Sequence, residues 1–196
     1  VHFDRAFTPP DAIGHRALAA NLSDLAAMGA TPRLALLSMA LPHDLPLADF
    51  DGVVAGITAL ALRHRLHIAG GNLTRSPGPL IVDMTVVGSV KRRQTLTRSG
   101  ARPGDEIYVT GTVGAAAAGL EMLTSTLSTT KDTKDTKDRT GPQEDWASVS
   151  VSVVNSCIER YLRPEPRVRM GLLLSRNRAA AACMDLSDGL ADAVRQ

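Results

Sequence analysis

Arg33-Leu34-Ala35-Leu36-Leu37-Ser38-Met39-Ala40-Leu41-Pro42 is the stretch on which the fold turns. A mostly apolar run of this length, closed by a proline, reads as a buried strand. On both sides the hydrophobic period changes. Upstream, over residues 10–28, Ile13, Ala17, Leu18, Leu22, Leu25 and Met28 recur at helical spacing, with Gly29 as the stop. Downstream, over residues 47–65, Leu47, Phe50, Val54, Ile57 and Leu60 do the same. A second strand then ends in Ala69-Gly70-Gly71-Asn72, and Pro79 to Val90 is β-branched and long enough for a full sheet strand. Strand, helix and strand in alternation predict an α/β (mixed α+β) fold.

The second half is less regular. Lys91-Arg92-Arg93 and Arg98-Ser99-Gly100-Ala101-Arg102-Pro103-Gly104-Asp105 read as a connection with a turn at Pro103-Gly104, which puts a domain boundary between residues 1–97 and 98–196. A short strand from Glu106 to Thr110 and an Ala-rich helix over 114–124 follow. Residues 131–138 repeat Lys-Asp-Thr and hold no apolar side chain to offset the entropy of ordering, so 128–145 is expected to be a disordered loop. Val151 to Leu162 reads as a helix ended before Pro164, a second helix follows Pro166, and Ala180 to Met184 reads as a small apolar strand. Asp185-Leu186-Ser187-Asp188-Gly189 then leads into the first turns of another helix.

Composition removes several classes of function. The 196 residues carry 22 Lys and Arg against 20 Asp and Glu, so the chain lacks the strong positive charge of a phosphate-tracking nucleic-acid binder. Three Phe, two Tyr and one Trp are too few for a base-stacking platform or a membrane-interface belt. No apolar run approaches a membrane span and no signal pattern opens the chain. Cys157 and Cys183 lack metal-ligand spacing and suit a reducing cytoplasm. Because Val1-His2-Phe3 begins in the middle of an apolar–polar alternation and without Met, a segment upstream is expected.

The chemistry concentrates in a few places. In Met184-Asp185-Leu186-Ser187-Asp188-Gly189 two carboxylates three residues apart can face one hard cation, which takes oxygen ligands and bridges them to phosphates; the alternative is a capped helix. Asn21, Ser23 and Asp24 interrupt an Ala/Leu-rich helix, where polar groups need partners. Gly70-Gly71-Asn72 offers backbone that a phosphate can approach, or a plain turn. Gly111-Thr112-Val113-Gly114 resembles a dinucleotide loop only loosely and lacks the acidic partner that NAD requires. His2, His15, His43, His64 and His67 form no metal pattern, and no nucleophile elbow is legible. Carboxylates, glycine turns and Arg98 suit phosphoryl transfer.

The order of these motifs resembles that of the thiamine-monophosphate kinases. It is carried by Val1-His2-Phe3, Ala17-Leu18-Ala19-Ala20-Asn21-Leu22-Ser23-Asp24-Leu25-Ala26-Ala27-Met28-Gly29-Ala30, Gly70-Gly71-Asn72-Leu73-Thr74-Arg75, Leu96-Thr97-Arg98-Ser99-Gly100, Tyr108-Val109-Thr110-Gly111-Thr112, Leu162-Arg163-Pro164-Glu165-Pro166-Arg167-Val168 and Asp185-Leu186-Ser187-Asp188-Gly189. The resemblance implies a two-domain architecture like that of aminoimidazole ribonucleotide synthetase, with the second domain incomplete and the chain an internal fragment. It implies ATP-dependent phosphorylation of thiamine monophosphate to thiamine diphosphate by a cytoplasmic homodimer. It further implies Asp24, Asp185 and Asp188 as Mg²⁺ ligands with Asn72 as a weaker fourth, Gly71, Asn72, Arg98 and Ser187 on ATP, and His2 beside the thiamine phosphate. Asn72 stands where the family usually has Asp, which leaves one less negative charge for a cation. The alternatives are another ATP-dependent enzyme of the same superfamily and a non-catalytic nucleotide-binding or dimerisation module.

Overall fold

The computed structural model describes residues 2–131 and 150–195. Helix α1, Pro10–Ala27, begins with proline at its first turn, where a missing N–H costs nothing, and ends at Gly29, whose φ of 67° a side chain would resist. Strand β1 is Thr31–Pro42, α2 is Leu47–Arg63, β2 is His67–Ser76 and β3 is Ile81–Ser89. The three strands form one sheet in the order β2-β1-β3, with β2 parallel and β3 antiparallel to β1. The chain is thus mixed α/β.

Ala35 and Met39 on β1 and Met84 on β3 join Leu18, Leu22, Val53, Ile57 and Leu60 in one apolar core. The helices cross closely because each puts a glycine at the contact. A Cβ on Gly14 would lie 1.9 Å from the Val53 carbonyl oxygen, and one on Gly56 1.9 Å from the Asp11 carbonyl oxygen. On the opposite sheet face Leu36, Ile81 and Val87 are 43%, 53% and 47% exposed. The apolar run of β1 is therefore buried on one side only, a correction to the buried-strand expectation.

Beyond the sheet lie α3, Ala115–Lys131, α4, Val151–Leu162, α5, Val168–Asn177, and α6, Leu190–Arg195. Helices α3 and α4 pack through Gly119, where a Cβ would meet the Cys157 carbonyl oxygen at 2.1 Å. Helix α5 docks on the end of α1, since Gly171 allows the Ala26 carbonyl to approach and Val168 enters the core built by α1, α2 and the sheet.

Three expectations are corrected, and a fourth falls mostly outside the described residues. Gly70-Gly71-Asn72 lies inside β2 rather than at its end, paired with Leu36, Leu37 and Ser38; a register shift there and the φ of 152° at Gly70 let the strand continue. Glu106–Thr110 forms no strand, and Ile107 and Tyr108 stand 72% and 83% exposed. Ala180–Met184 is also irregular: its backbone makes a bond from the Cys183 N–H to the Thr97 carbonyl, 3.1 Å, but no strand ladder forms. Of the loop expected over 128–145, residues 128–131 belong to α3, and 132–145, with most of the Lys-Asp-Thr repeat, lie outside the described residues.

Candidate active site

Three segments distant in sequence meet at the C-terminal end of α1. The first is α1 itself, carrying Asp24. The second, residues 94–100, is tied to it by the Leu96 N–H donating to the Met28 carbonyl, 3.2 Å, and by the Ser175 hydroxyl of α5 donating to the Gln94 carbonyl, 2.6 Å. The third, residues 181–189, is held against the second by the Cys183–Thr97 bond and by Gly100, where a Cβ would strike the Ala181 carbonyl oxygen at 1.8 Å. Small residues let these backbones touch, and the contacts place Arg98, on a 3-10 turn at Arg98–Gly100, and the Asp185–Gly189 loop beside Asp24.

The charges act on one another. Partial desolvation pushes the Asp24 carboxyl above the ordinary carboxylate range; the Asp185 charge adds to this, Arg98 opposes it, and Asp188 adds a further push. Asp24 remains exposed enough to reach solvent or a ligand. The Asp185 carboxylate accepts the Ser187 N–H at 3.3 Å, and the Gly189 N–H donates to the Leu186 carbonyl at 3.2 Å, so the loop is folded on itself with Ser187 and Asp188 at its exposed rim. Burial and Asp185 together raise the Cys183 thiol, which keeps it protonated and poorly nucleophilic. Among the described residues no three His, Cys, Asp or Glu side chains stand close enough to enclose a metal ion by themselves.

The remaining expected positions lie elsewhere. Gly71 and Asn72 line a separate cavity of about 300 Å³ with Leu37, Met39, Phe50 and Leu73, and none of Asp24, Arg98, Asp185 or Asp188 borders it. His2 is exposed, and its carbonyl accepts an N–H from Arg16 at 3.2 Å. Asn21, expected to need a partner, satisfies itself on the Ala17 carbonyl of its own helix, 2.8 Å. The sequence reading passed over Arg16, Gly100 and Ser175. Arg16 left one signal, a cation within an Ala/Leu-rich helix; the other two are small residues whose value lies in what they touch.

Comparison with known proteins bears on what this arrangement is for. The profile of the AIR synthase related protein, N-terminal domain, matches residues 1–90. The thiamine-monophosphate kinase of Bacillus subtilis (strain 168) is 36% identical over 196 residues, all of this chain and 54% of its own length. That of Escherichia coli (strain K12) is 40% identical over 189 residues, 96% of this chain and 50% of its own. The structure of AaThiL complexed with AMPPCP and TMP superposes with a TM-score of 0.79 at 32% identity, covering 98% of this chain and 54% of that one. The chain resembles the thiamine-monophosphate kinases along its whole length. It spans about half the length of the relatives it matches. No helix among the described residues is long and apolar enough to cross a membrane.

Proposed function

We propose that this chain forms part of an Mg²⁺-dependent kinase that transfers the γ-phosphoryl group of ATP to the phosphate of thiamine monophosphate, giving thiamine diphosphate. The observation that carries this reading is the meeting of Asp24, Arg98, Asp185 and Asp188 from segments far apart in sequence. The likeness to AaThiL complexed with AMPPCP and TMP supports both substrates.

The donor set fits a hard cation, because it offers carboxylates rather than thiolate or imidazole and gathers like charges with one guanidinium against them. Asp24, Asp185 and Asp188 would hold Mg²⁺ together with phosphate oxygens, the usual arrangement when protein ligands alone do not complete a cage. When bound, Mg²⁺ supplies neutralisation of the polyphosphate charge. Arg98 has the planar fork to take phosphate oxygens bidentately, and the exposed Ser187 hydroxyl can donate to another. The acceptor oxygen belongs to a phosphate that is largely dianionic at neutral pH, so no side-chain base is required to activate it. The work left to the protein is positioning and charge stabilisation, which suits a site without a catalytic His or Cys.

The enzyme acts as a cytoplasmic homodimer in this reading. Two unpaired cysteines suit a reducing compartment, and the sheet face with exposed Leu36, Ile81 and Val87 supplies a surface for a second copy. Gly71 and Asn72 are part of the same sheet, so their proposed contact with ATP belongs to the assembly rather than to one copy. The test is an assay of the native gene product with thiamine monophosphate and ATP, with thiamine diphosphate read by chromatography. Product in Mg²⁺ that vanishes with chelator is expected. ATP consumed without thiamine diphosphate, in favour of another phosphorylated product, overturns the substrate assignment.

A further inference from the structure

Four arginines in the described half of the molecule that joins α1, α2 and α4 differ in how their charge is met. Arg5, Arg63 and Arg163 each face a carboxylate, on Asp49, Glu165 and Asp11. Arg16 does not: among the described residues its guanidinium pairs with no acid. It lies 4.2 Å above the centre of the Tyr161 ring, donates one N–H to the Tyr161 carbonyl oxygen and another to the His2 carbonyl oxygen at 3.2 Å. The Tyr161 ring is itself buried and packs tilted against Phe7 at 6.3 Å. Desolvation depresses the Arg16 pKa, a sign of how far the cation is withdrawn from water.

Withdrawing a cation onto neutral carbonyls is unfavourable unless the geometry it enforces is needed. Joining α1 to α4 does not require it, because Arg163 already spans from Asp11 on α1 to Glu159 on α4, at 2.6 and 3.0 Å. What Arg16 alone adds is the third partner, the backbone at His2.

We propose that Arg16 is a positioning residue: its fork clamps the His2 segment to the Tyr161 end of α4 and so fixes where His2 meets the phosphate-bearing thiamine substrate. This rests on the reading that His2 lies beside that substrate. Lysine preserves the charge but not the planar fork that reaches two carbonyls while stacked on a ring.

Steady-state kinetics of the native gene product test it. Arg16→Lys should raise the KM for thiamine monophosphate by roughly tenfold, the loss expected of one charge-assisted hydrogen bond, with kcat and the KM for ATP nearly unchanged. Tyr161→Leu keeps the carbonyl and removes the ring, and should shift the same KM in the same direction; it decides the matter if Arg16→Lys does not fold. Arg163→Lys, which weakens the α1–α4 tie without touching His2, should leave that KM alone. An unmoved KM in the folded Arg16 variant, or an equal rise in the Arg163 variant, reduces Arg16 to helix docking and overturns the proposal. His2→Ala separates the two levels: if it is silent, the substrate reading of His2 fails and Arg16 with it. If it raises the KM while Arg16→Lys does not, only the clamp fails.

Discussion

At Asp24 two demands oppose each other. The carboxylate sits in partly desolvated surroundings with Asp185 and Asp188 nearby, so its ionised form is disfavoured in the folded chain without a cation. The sign follows from a folded pKa raised above the unfolded value: this group favours the fold once protonated, and that contribution is lost as pH rises from the unfolded pKa through the folded one. Asp24→Asn should therefore leave the metal-free chain as stable or slightly more so at neutral pH, by less than about 1 kcal/mol given solvent screening. Phosphoryl transfer in the native gene product should fall steeply. A denaturant midpoint and an initial rate measured on the same variant check this, and a variant that loses stability but keeps its rate removes Asp24 from the site. Arg98 is tested by contrast with an exposed neighbour. Arg98→Lys should cost roughly tenfold in ATP KM or kcat, about one charge-assisted bond, while Arg92→Lys changes neither. Equal, small effects return Arg98 to the solvated surface. The residues of this cluster were legible as motifs, since Asp185 and Asp188 share a turn and Asp24 breaks an apolar helix. What the sequence did not display was the adhesive, the Leu96–Met28 and Cys183–Thr97 backbone bonds and the Gly100 contact, because backbone pairing between irregular segments carries no periodic pattern.

At the scale of elements, hydrophobic period located α1 and α2, and Pro164 and Pro166 bounded α4 and α5, all to within a few residues; sequence failed where a strand needs a partner to exist. Glu106–Thr110 and Ala180–Met184 have strand-like composition, yet composition cannot show whether a ladder neighbour is present, and neither forms a strand here. Gly70-Gly71 failed in the other direction: two glycines suggested an end, while Gly71 sits where a Cβ would lie 1.6 Å from the Leu37 carbonyl oxygen inside a continuing strand. Helix contacts give sharper tests. Gly14→Ala or Gly56→Ala gains helix propensity but drives a methyl into the facing backbone, for a net loss of roughly 1–3 kcal/mol and a lower thermal midpoint. A midpoint unchanged by both would mean that α1 and α2 part without cost. The α1–α4 tie adds a pH dependence. The hydrogen bond from Arg163 chiefly holds the Asp11 carboxyl below its usual range, so its stabilising contribution is present above the unfolded pKa near 3.8 and disappears as pH falls through the lower folded value. The pair is half exposed, so the effect is below about 1 kcal/mol. The difference in urea midpoint between wild type and Asp11→Asn should be flat from neutral pH to about 5 and shrink toward zero in stronger acid. A difference that grows in acid contradicts the assignment.

For the whole molecule, the sheet poses the remaining question, because its two faces are treated so differently. One face contributes Ala35, Met39 and Met84 to the core; the other presents Leu36, Ile81 and Val87 exposed, with Ser38 of β1 paired to Asn72 on one side and Asp83 on the other. Alternation along β1 and β3 dictates this, since neighbours in a strand point to opposite faces; on the open face Leu36, Ala40, Ile81 and Val87 are interspersed with Ser38, Asp83 and Thr85. Exposed Leu36, Ile81 and Val87 on a face without helices are a surface on which a second copy can pack about a two-fold axis. The homodimer proposed above would use this face. Leu36→Lys with Val87→Lys puts two charges on it without touching the core, so self-association should be lost while each chain still folds cooperatively, with a thermal midpoint that no longer depends on protein concentration. Sedimentation equilibrium of wild type and the double variant at the same concentrations reads this directly. A wild type that stays monomeric well above micromolar concentration, or a double variant that still dimerises, moves the interface elsewhere. Either result would also detach Gly71 and Asn72 from the shared ATP role proposed for them, since Asp24, Arg98, Asp185 and Asp188 do not border the cavity those two residues line.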